Sequence, residues 1–135
     1  MSDLTESRES FCARMEKEGL RVVIPADDEL LIDIDTPEQA ATFDRMFPIL
    51  RRDYKAERIR RTPSRSGLPR EHIVVRLPGV TLDPVTRIAL QASLGSDPMR
   101  EFLSVGRVRR GELPATILIE RPELEPIGDL LDGLT

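Results

Sequence analysis

Residues 30–35 read LLIDID, and no other six positions of the chain restrict its fold so tightly. Successive side chains of a strand point to opposite faces, so Leu30, Ile32 and Ile34 share one face while Leu31, Asp33 and Asp35 share the other. Burying unpaired carboxylates costs several kcal/mol each, which sends the first set to the core. Asp33 and Asp35 then turn away from it, roughly 7 Å apart along the strand. The same parity in 72–77, HIVVRL, puts Ile73, Val75 and Leu77 inside and leaves His72, Val74 and Arg76 on the outer face. In 116–120, TILIE, it turns Ile117 and Ile119 inward and Thr116, Leu118 and Glu120 outward. Arg58 and Arg60 join the outer face if Ile59 is the buried residue of its strand.

Between these strands the helix signals are explicit. Thr36, Pro37, Glu38 and Gln39 supply an N-cap hydroxyl, a first-turn proline and a capping-box partner, and Ala40, Phe43, Phe47, Leu50 and Tyr54 continue as a buried stripe. Pro48 is expected to kink or break that helix. Asp83 with Pro84 opens a second helix carrying Val85, Ile88, Ala89 and Ala92 inward. Gly95 ends it, and Asp97 with Pro98 opens a third, with Met99, Phe102, Leu103 and Val105 as its apolar positions. Residues 4–18, with Leu4, Phe11 and Met15, predict a short N-terminal helix, and 20–24 a strand forming a hairpin with 30–35. Beyond that hairpin strand the order is β-α-β-β-α-β. An α+β domain follows, an antiparallel sheet with the helices packed on one face. The domain spans 1–120, with 1–18 as its N-terminal helical segment. Residues 121–135 form an acidic tail in which Leu130, Leu131 and Leu134 offer a docking point for a protein partner.

With 135 residues the chain can bury a core without staples, and the lone Cys12 excludes an internal disulfide or a cysteine-based zinc site. No apolar run reaches membrane-spanning length and the polar N-terminus is no targeting segment, so no membrane partner and a cytoplasmic location are expected. The net charge of -4 argues against coating nucleic acid by bulk attraction. Positive charge is nevertheless concentrated between Arg51 and Arg70 and again between Arg100 and Arg110, and local patches of that kind can grip phosphates.

Parity thus gathers two aspartates, the only histidine and Glu120 on one surface with an arginine border. Two carboxylates spaced this way can bracket divalent cations, and hard Mg²⁺ or Mn²⁺ prefers such oxygen ligands. The loop of Ser64, Arg65, Ser66 and Gly67 offers hydroxyls, backbone N–H groups and a guanidinium for a triphosphate, and His72 can hydrogen-bond a phosphate. Each piece has a plainer reading beside it. Asp35 can serve the helix start, Asp97 can be an N-cap, Glu120 a solvent-facing strand end, and the serines an ordinary loop.

LLIDID followed by a helix, and then TPSRSGLPREHIVVRL on a hairpin, resembles the catalytic core of archaeo-eukaryotic primases and primase-polymerases. The resemblance covers about residues 30–120. It implies an RRM-like sheet, with Asp33 and Asp35 as the metal-binding pair and Ser66 and His72, alongside Ser64, Arg65 and Arg76, as nucleotide contacts. The third acid is Glu120 by strand position or Asp97 by sequence order. The interval from Ser66 to His72 is longer than the family's and includes Pro69. What the resemblance implies is metal-dependent nucleotidyl transfer with catalytic Asp33, Asp35 and His72, in a small phage or plasmid replication protein. The partners would be a nucleoside triphosphate and single-stranded or template DNA gripped by Arg58 and Arg60. Two rivals stand beside it: a metal-dependent nuclease or phosphodiesterase, and a non-catalytic interaction module.

Overall fold

The computed structural model describes residues 6–67, 69–124, 126 and 127. Its elements are α1 (Arg8–Lys17), β1 (Arg21–Val23), β2 (Glu29–Ile34), α2 (Pro37–Tyr54), β3 (Glu57–Pro63), β4 (Glu71–Arg76), α3 (Pro84–Ser93), α4 (Pro98–Arg109) and β5 (Leu118–Glu120). The class is α+β. A three-stranded antiparallel sheet runs β2-β4-β3, and a two-stranded antiparallel ribbon pairs β1 with β5. No helix among the described residues is long and apolar enough to cross a membrane. Leu4 and the tail leucines Leu130, Leu131 and Leu134 lie outside the described residues.

Parity in β2 and β4 holds. Leu30, Ile32, Ile34, Ile73 and Val75 pack with Phe43, Phe47 and Leu50 of α2 and with Leu77, Leu82 and Leu94 into the main core. Thr36 caps α2 by accepting from the Gln39 N–H at 3.2 Å, while Gln39 Oε1 reaches back to the Asp35 N–H at 2.7 Å. The helix runs through Pro48 without the expected break, with the proline ring on the solvent side.

The sheet departs from the RRM-like expectation at its β2 edge. The last strand does not add there, and β1 does not form a hairpin with β2; the two pair with each other across the second face of the sheet. Leu31 and Val74 are buried there against Leu118 and Val23, so the outer face is partly roofed. That roof reverses the expected parity of β5: Leu118 and Glu120 face the sheet and are buried, whereas Ile117 and Ile119 are only half-buried.

Side chains from the α3–α4 corner occupy the vacated β2 edge. Gln91 Oε1 accepts from the Leu31 N–H at 2.8 Å, Ser96 Oγ from the Asp33 N–H at 3.0 Å, Arg100 donates to the Leu31 carbonyl at 2.6 Å, and the Asp97 N–H to the Asp33 carbonyl at 2.8 Å. An unpaired strand edge is thereby satisfied. The cost falls on helix amphipathicity. Helix α3 buries Ile88 and Gln91 but exposes Val85, Ala89 and Ala92. Helix α4 buries Glu101 and Ser104 while Met99, Phe102, Leu103 and Val105 face out.

Gly95 makes this corner possible. Its φ is +91°, and a Cβ there would lie 2.5 Å from the Gln39 carbonyl oxygen. Gly95→Ala is therefore expected to destabilise the protein by about 2–4 kcal/mol. Urea unfolding reads this directly, and an unchanged midpoint would show that the corner relaxes freely.

Candidate metal and phosphate cleft

Strand register sets the centre of the site. Asp33 of β2 stands opposite His72 of β4, which stands opposite Thr62 of β3, so all three share the second sheet face. The β1–β5 ribbon covers Leu31, Val74 and His72 on that face. What remains is a cleft of about 320 Å³, lined by Asp33, Asp35, His72, Ser64, Arg65, Ser66, Arg70, Arg100 and residues 117–119.

Asp33, Asp35 and Asp97 bring their carboxylate oxygens within 4.8 Å of one another. Neither Asp35 nor Asp97 uses its side chain as a helix cap. The cap of α2 is the Thr36 hydroxyl rather than Asp35. Asp97 occupies the N-cap position of α4, yet its side chain makes no capping hydrogen bond. Burial pushes the Asp33 carboxyl above its ordinary value; His72 and Arg100 oppose this, while the negative charges of Asp35 and Asp97 add to it. Crowded carboxylates of this kind are a donor set suited to a hard divalent cation. Sequence order, not strand position, gives the third acid.

Glu120 does not belong to that group. It is fully buried, and its oxygens are engaged: Oε1 accepts from Arg21 at 3.3 Å and Arg60 at 3.1 Å, and Oε2 lies 3.1 Å from His72 Nδ1. Its assignment as a metal ligand is corrected accordingly. Burial raises its carboxyl, but the His72 hydrogen bond and the Arg60 charge outweigh this and hold it below the ordinary glutamate value.

His72 is buried, contrary to a freely open face, because the roof closes over it. It still lines the cleft. A ring donating Nδ1–H to Glu120 presents Nε2 on the other side, 3.7 Å from Asp33 Oδ1. Carboxylate, imidazole and carboxylate thus stand in line from the interior to the cleft.

The loop after β3 is corrected in its details. Ser64 is buried, its hydroxyl accepts from the Ser66 N–H at 3.2 Å, and its carbonyl accepts from the Gly67 N–H at 2.7 Å. Those N–H groups close the turn and do not face a ligand. The exposed Ser66, Arg65 and Arg70 line the cleft on this side.

Three predicted residues lie elsewhere. Arg76 is exposed at the far end of β4, paired with Glu57 at 3.0 Å. A bulge between Arg58 and Arg60 leaves Ile59 41% exposed and puts the two arginines on opposite faces. Arg58 lies over the Phe47 ring on the helix side, and Arg60 is held by Glu120. Neither forms the expected basic border for DNA.

Two cleft arginines were not singled out as site residues from sequence. Arg70 looked like one more cation of a charged loop. Arg100 is fixed by the Leu31 carbonyl, the Ile117 carbonyl at 3.2 Å and Glu101 at 2.7 Å. Only the tertiary path around the β2 edge shows it facing Asp33. Compared with protein-family models, curated proteins and solved structures, the chain has no match.

Proposed function

We propose that the cleft binds a nucleoside triphosphate together with Mg²⁺ or Mn²⁺, and that the chain performs nucleotidyl transfer of the primase-polymerase kind. One observation carries the reading: a single cleft is lined by the carboxylates of Asp33 and Asp35, which Asp97 approaches within 4.8 Å, and by the Ser66 hydroxyl with the guanidinium groups of Arg65 and Arg70. A cation–phosphate pair needs both sets of groups, and an ordinary solvated acidic cluster needs only the first.

In this reading Asp33, Asp35 and Asp97 hold the cation. A bound divalent ion would supply charge neutralisation at the phosphate oxygens. Ser66, Arg65 and Arg70 bind the triphosphate tail, with Arg bidentate geometry favouring phosphate. Glu120 fixes the orientation of His72, whose Nε2, the acceptor of that tautomer, then meets the attacking hydroxyl. The reaction supported is attack of a 3′-hydroxyl on the α-phosphorus with departure of pyrophosphate, on a template strand of DNA.

Titration calorimetry of a nucleoside triphosphate in Mn²⁺ tests the binding step. The wild type is expected to bind at micromolar to submillimolar levels, and Asp33→Ala/Asp35→Ala to lose at least about tenfold in affinity. Arg76→Ala is expected to leave binding unchanged, which the resemblance alone would not predict. Equal binding by the double aspartate variant would sink the proposal. Extension of a labelled primer supports transfer, whereas shortening would place the same acids in a phosphodiesterase.

A further inference from the structure

The cleft does not end at Arg100. Arg100, Ile117 and Ile119 also line a second hollow of about 250 Å³ beside α1 and α4, and the two adjoin along these residues. Leu103, Ala115 and the two isoleucines make it apolar, while Arg8 and Arg107 give it positive charge. The one acid among its described lining residues is Asp97, whose carboxylate belongs to the cluster with Asp33 and Asp35. Arg8 is buried and fixed by the carbonyls of Pro114 at 3.0 Å and Ala115 at 3.4 Å. Burial, and after it the Arg107 charge, holds its guanidinium below the usual arginine value. The half-buried Arg107 guanidinium has no hydrogen bond or ion pair among the described residues, and the nearby Glu112 pairs with Arg110 at 2.6 Å. Two like charges on an apolar surface, one of them unpaired, suit an anion that also carries apolar area.

We propose that this groove holds the 3′-terminal stretch of a single DNA strand, the strand whose hydroxyl attacks in the cleft. The proposal deepens the nucleotidyl-transfer reading and rests on it. That reaction needs a site for the attacking strand, and Arg58 and Arg60 do not supply one. The groove supplies it by position, charge and length. Asp97 lines it and also reaches the other two acids. Arg107 lies about 10 Å beyond Arg100 along α4 at about 1.5 Å per residue, a length that about three stacked nucleotides span at about 3.4 Å each. Phosphates then meet Arg107 with Arg8 beside it, and bases lie on Leu103, Ile117 and Ile119.

Polarity follows, since only a 3′ end directed toward Asp97 brings its hydroxyl to His72 and the cation. The Phe11 ring is already met by Arg8 at 5.4 Å and Arg14 at 5.3 Å, so base contacts fall to aliphatic side chains. Those carry no pattern of donors and acceptors, and the groove therefore accepts any base. The net charge of -4 repels DNA from the chain as a whole, which keeps binding modest and steep in salt.

Fluorescence anisotropy of a 5′-labelled oligodeoxythymidylate of about eight residues, without nucleotide or metal, should give a dissociation constant of about 10–100 µM at low salt. Arg107→Glu and Leu103→Asp should each weaken binding about tenfold or more with unchanged thermal midpoints, and Arg107→Glu should flatten the salt dependence. Arg52→Glu makes the same charge change on the exposed side of α2 and should cost less than about twofold. In cross-linking, 4-thiothymidine at the 3′ end should react with residues of the cleft, and placed three nucleotides further in, with Leu103 or Phe11. A wild type that binds the nucleotide with Mn²⁺ but not the oligomer would overturn the groove and leave the cleft reading intact. An oligomer bound through Arg107 with no nucleotide bound would do the reverse. Equal losses in Arg107→Glu and Arg52→Glu, or the opposite order of cross-links, would overturn the proposal. Binding of an equally charged Asp-Leu peptide in place of the oligomer would overturn it in favour of a protein partner.

Discussion

Glu120→Ala is expected to destabilise the protein by about 3–5 kcal/mol, the largest effect of any single substitution in the cleft region. Glu120 has no exposed surface, and Arg21, Arg60 and His72 all converge on it. Removing the carboxylate leaves the buried His72 and the partly exposed Arg60 and Arg21 without their shared acceptor. Glu120→Gln, which keeps the shape and one acceptor, should lose less than half as much and serves if the alanine variant fails to fold. The pH dependence follows from the lowered carboxyl. Because the unfolded chain binds that proton more tightly than the folded one, the stabilisation is complete above the ordinary glutamate value and disappears as pH falls through the lowered one. Chemical unfolding across acid pH should therefore show wild type and Glu120→Gln converging as the solution is acidified. A loss below about 1 kcal/mol for the alanine variant would mean that the water reaching Arg21 and Arg60 replaces the carboxylate.

The centre of the site was legible in sequence because its logic is local. A strand has period two, carboxylates resist burial, and so Asp33 and His72 had to meet on one face once β2 and β4 paired. The third acid was legible only as a choice between Glu120 and Asp97. Asp97 reaches Asp33 only because its backbone N–H bonds the Asp33 carbonyl at the sheet edge, a contact between residues far apart in sequence. The bulge at Ile59 was invisible for a different reason: in Glu57-Arg58-Ile59-Arg60-Arg61 no glycine or proline marks where the register slips.

The misread helices share one cause. Apolar spacing predicts which face of a helix is buried when the core is the only demand upon it. Here α3 and α4 also complete the hydrogen bonds of an exposed strand edge: polar side chains at 91, 96 and 100 are drawn inward to it, and Glu101 follows as the partner of Gln91 and Arg100. Strand β5 was reversed by the same kind of compensation. A glutamate faces inward here because two arginines and a histidine meet it, and no periodicity in TILIE announces those partners.

Asp33→Asn is expected to separate binding from stability. The folded state holds the Asp33 proton more tightly than the unfolded chain does, because burial, with Asp35 and Asp97 beside it, disfavours the charge. Stability from this group is therefore present at low pH and falls as pH rises from the ordinary aspartate value through the raised one. At neutral pH without metal, the neutral asparagine should leave the unfolding midpoint unchanged or raise stability by up to about 1 kcal/mol. With Mn²⁺ the order reverses. A ligand at a hundred times its dissociation constant stabilises by about 2.7 kcal/mol, so the wild type should gain that much while Asp33→Asn gains almost nothing. The metal-induced gain should also shrink on acidification, since the proton and the cation compete for one carboxylate. Thermal unfolding of both chains with and without Mn²⁺, at neutral and acid pH, reads all of this. Had Asp33 served only to pair with His72, the opposite pattern would appear: a less stable variant without metal, and a wild-type midpoint that Mn²⁺ does not move.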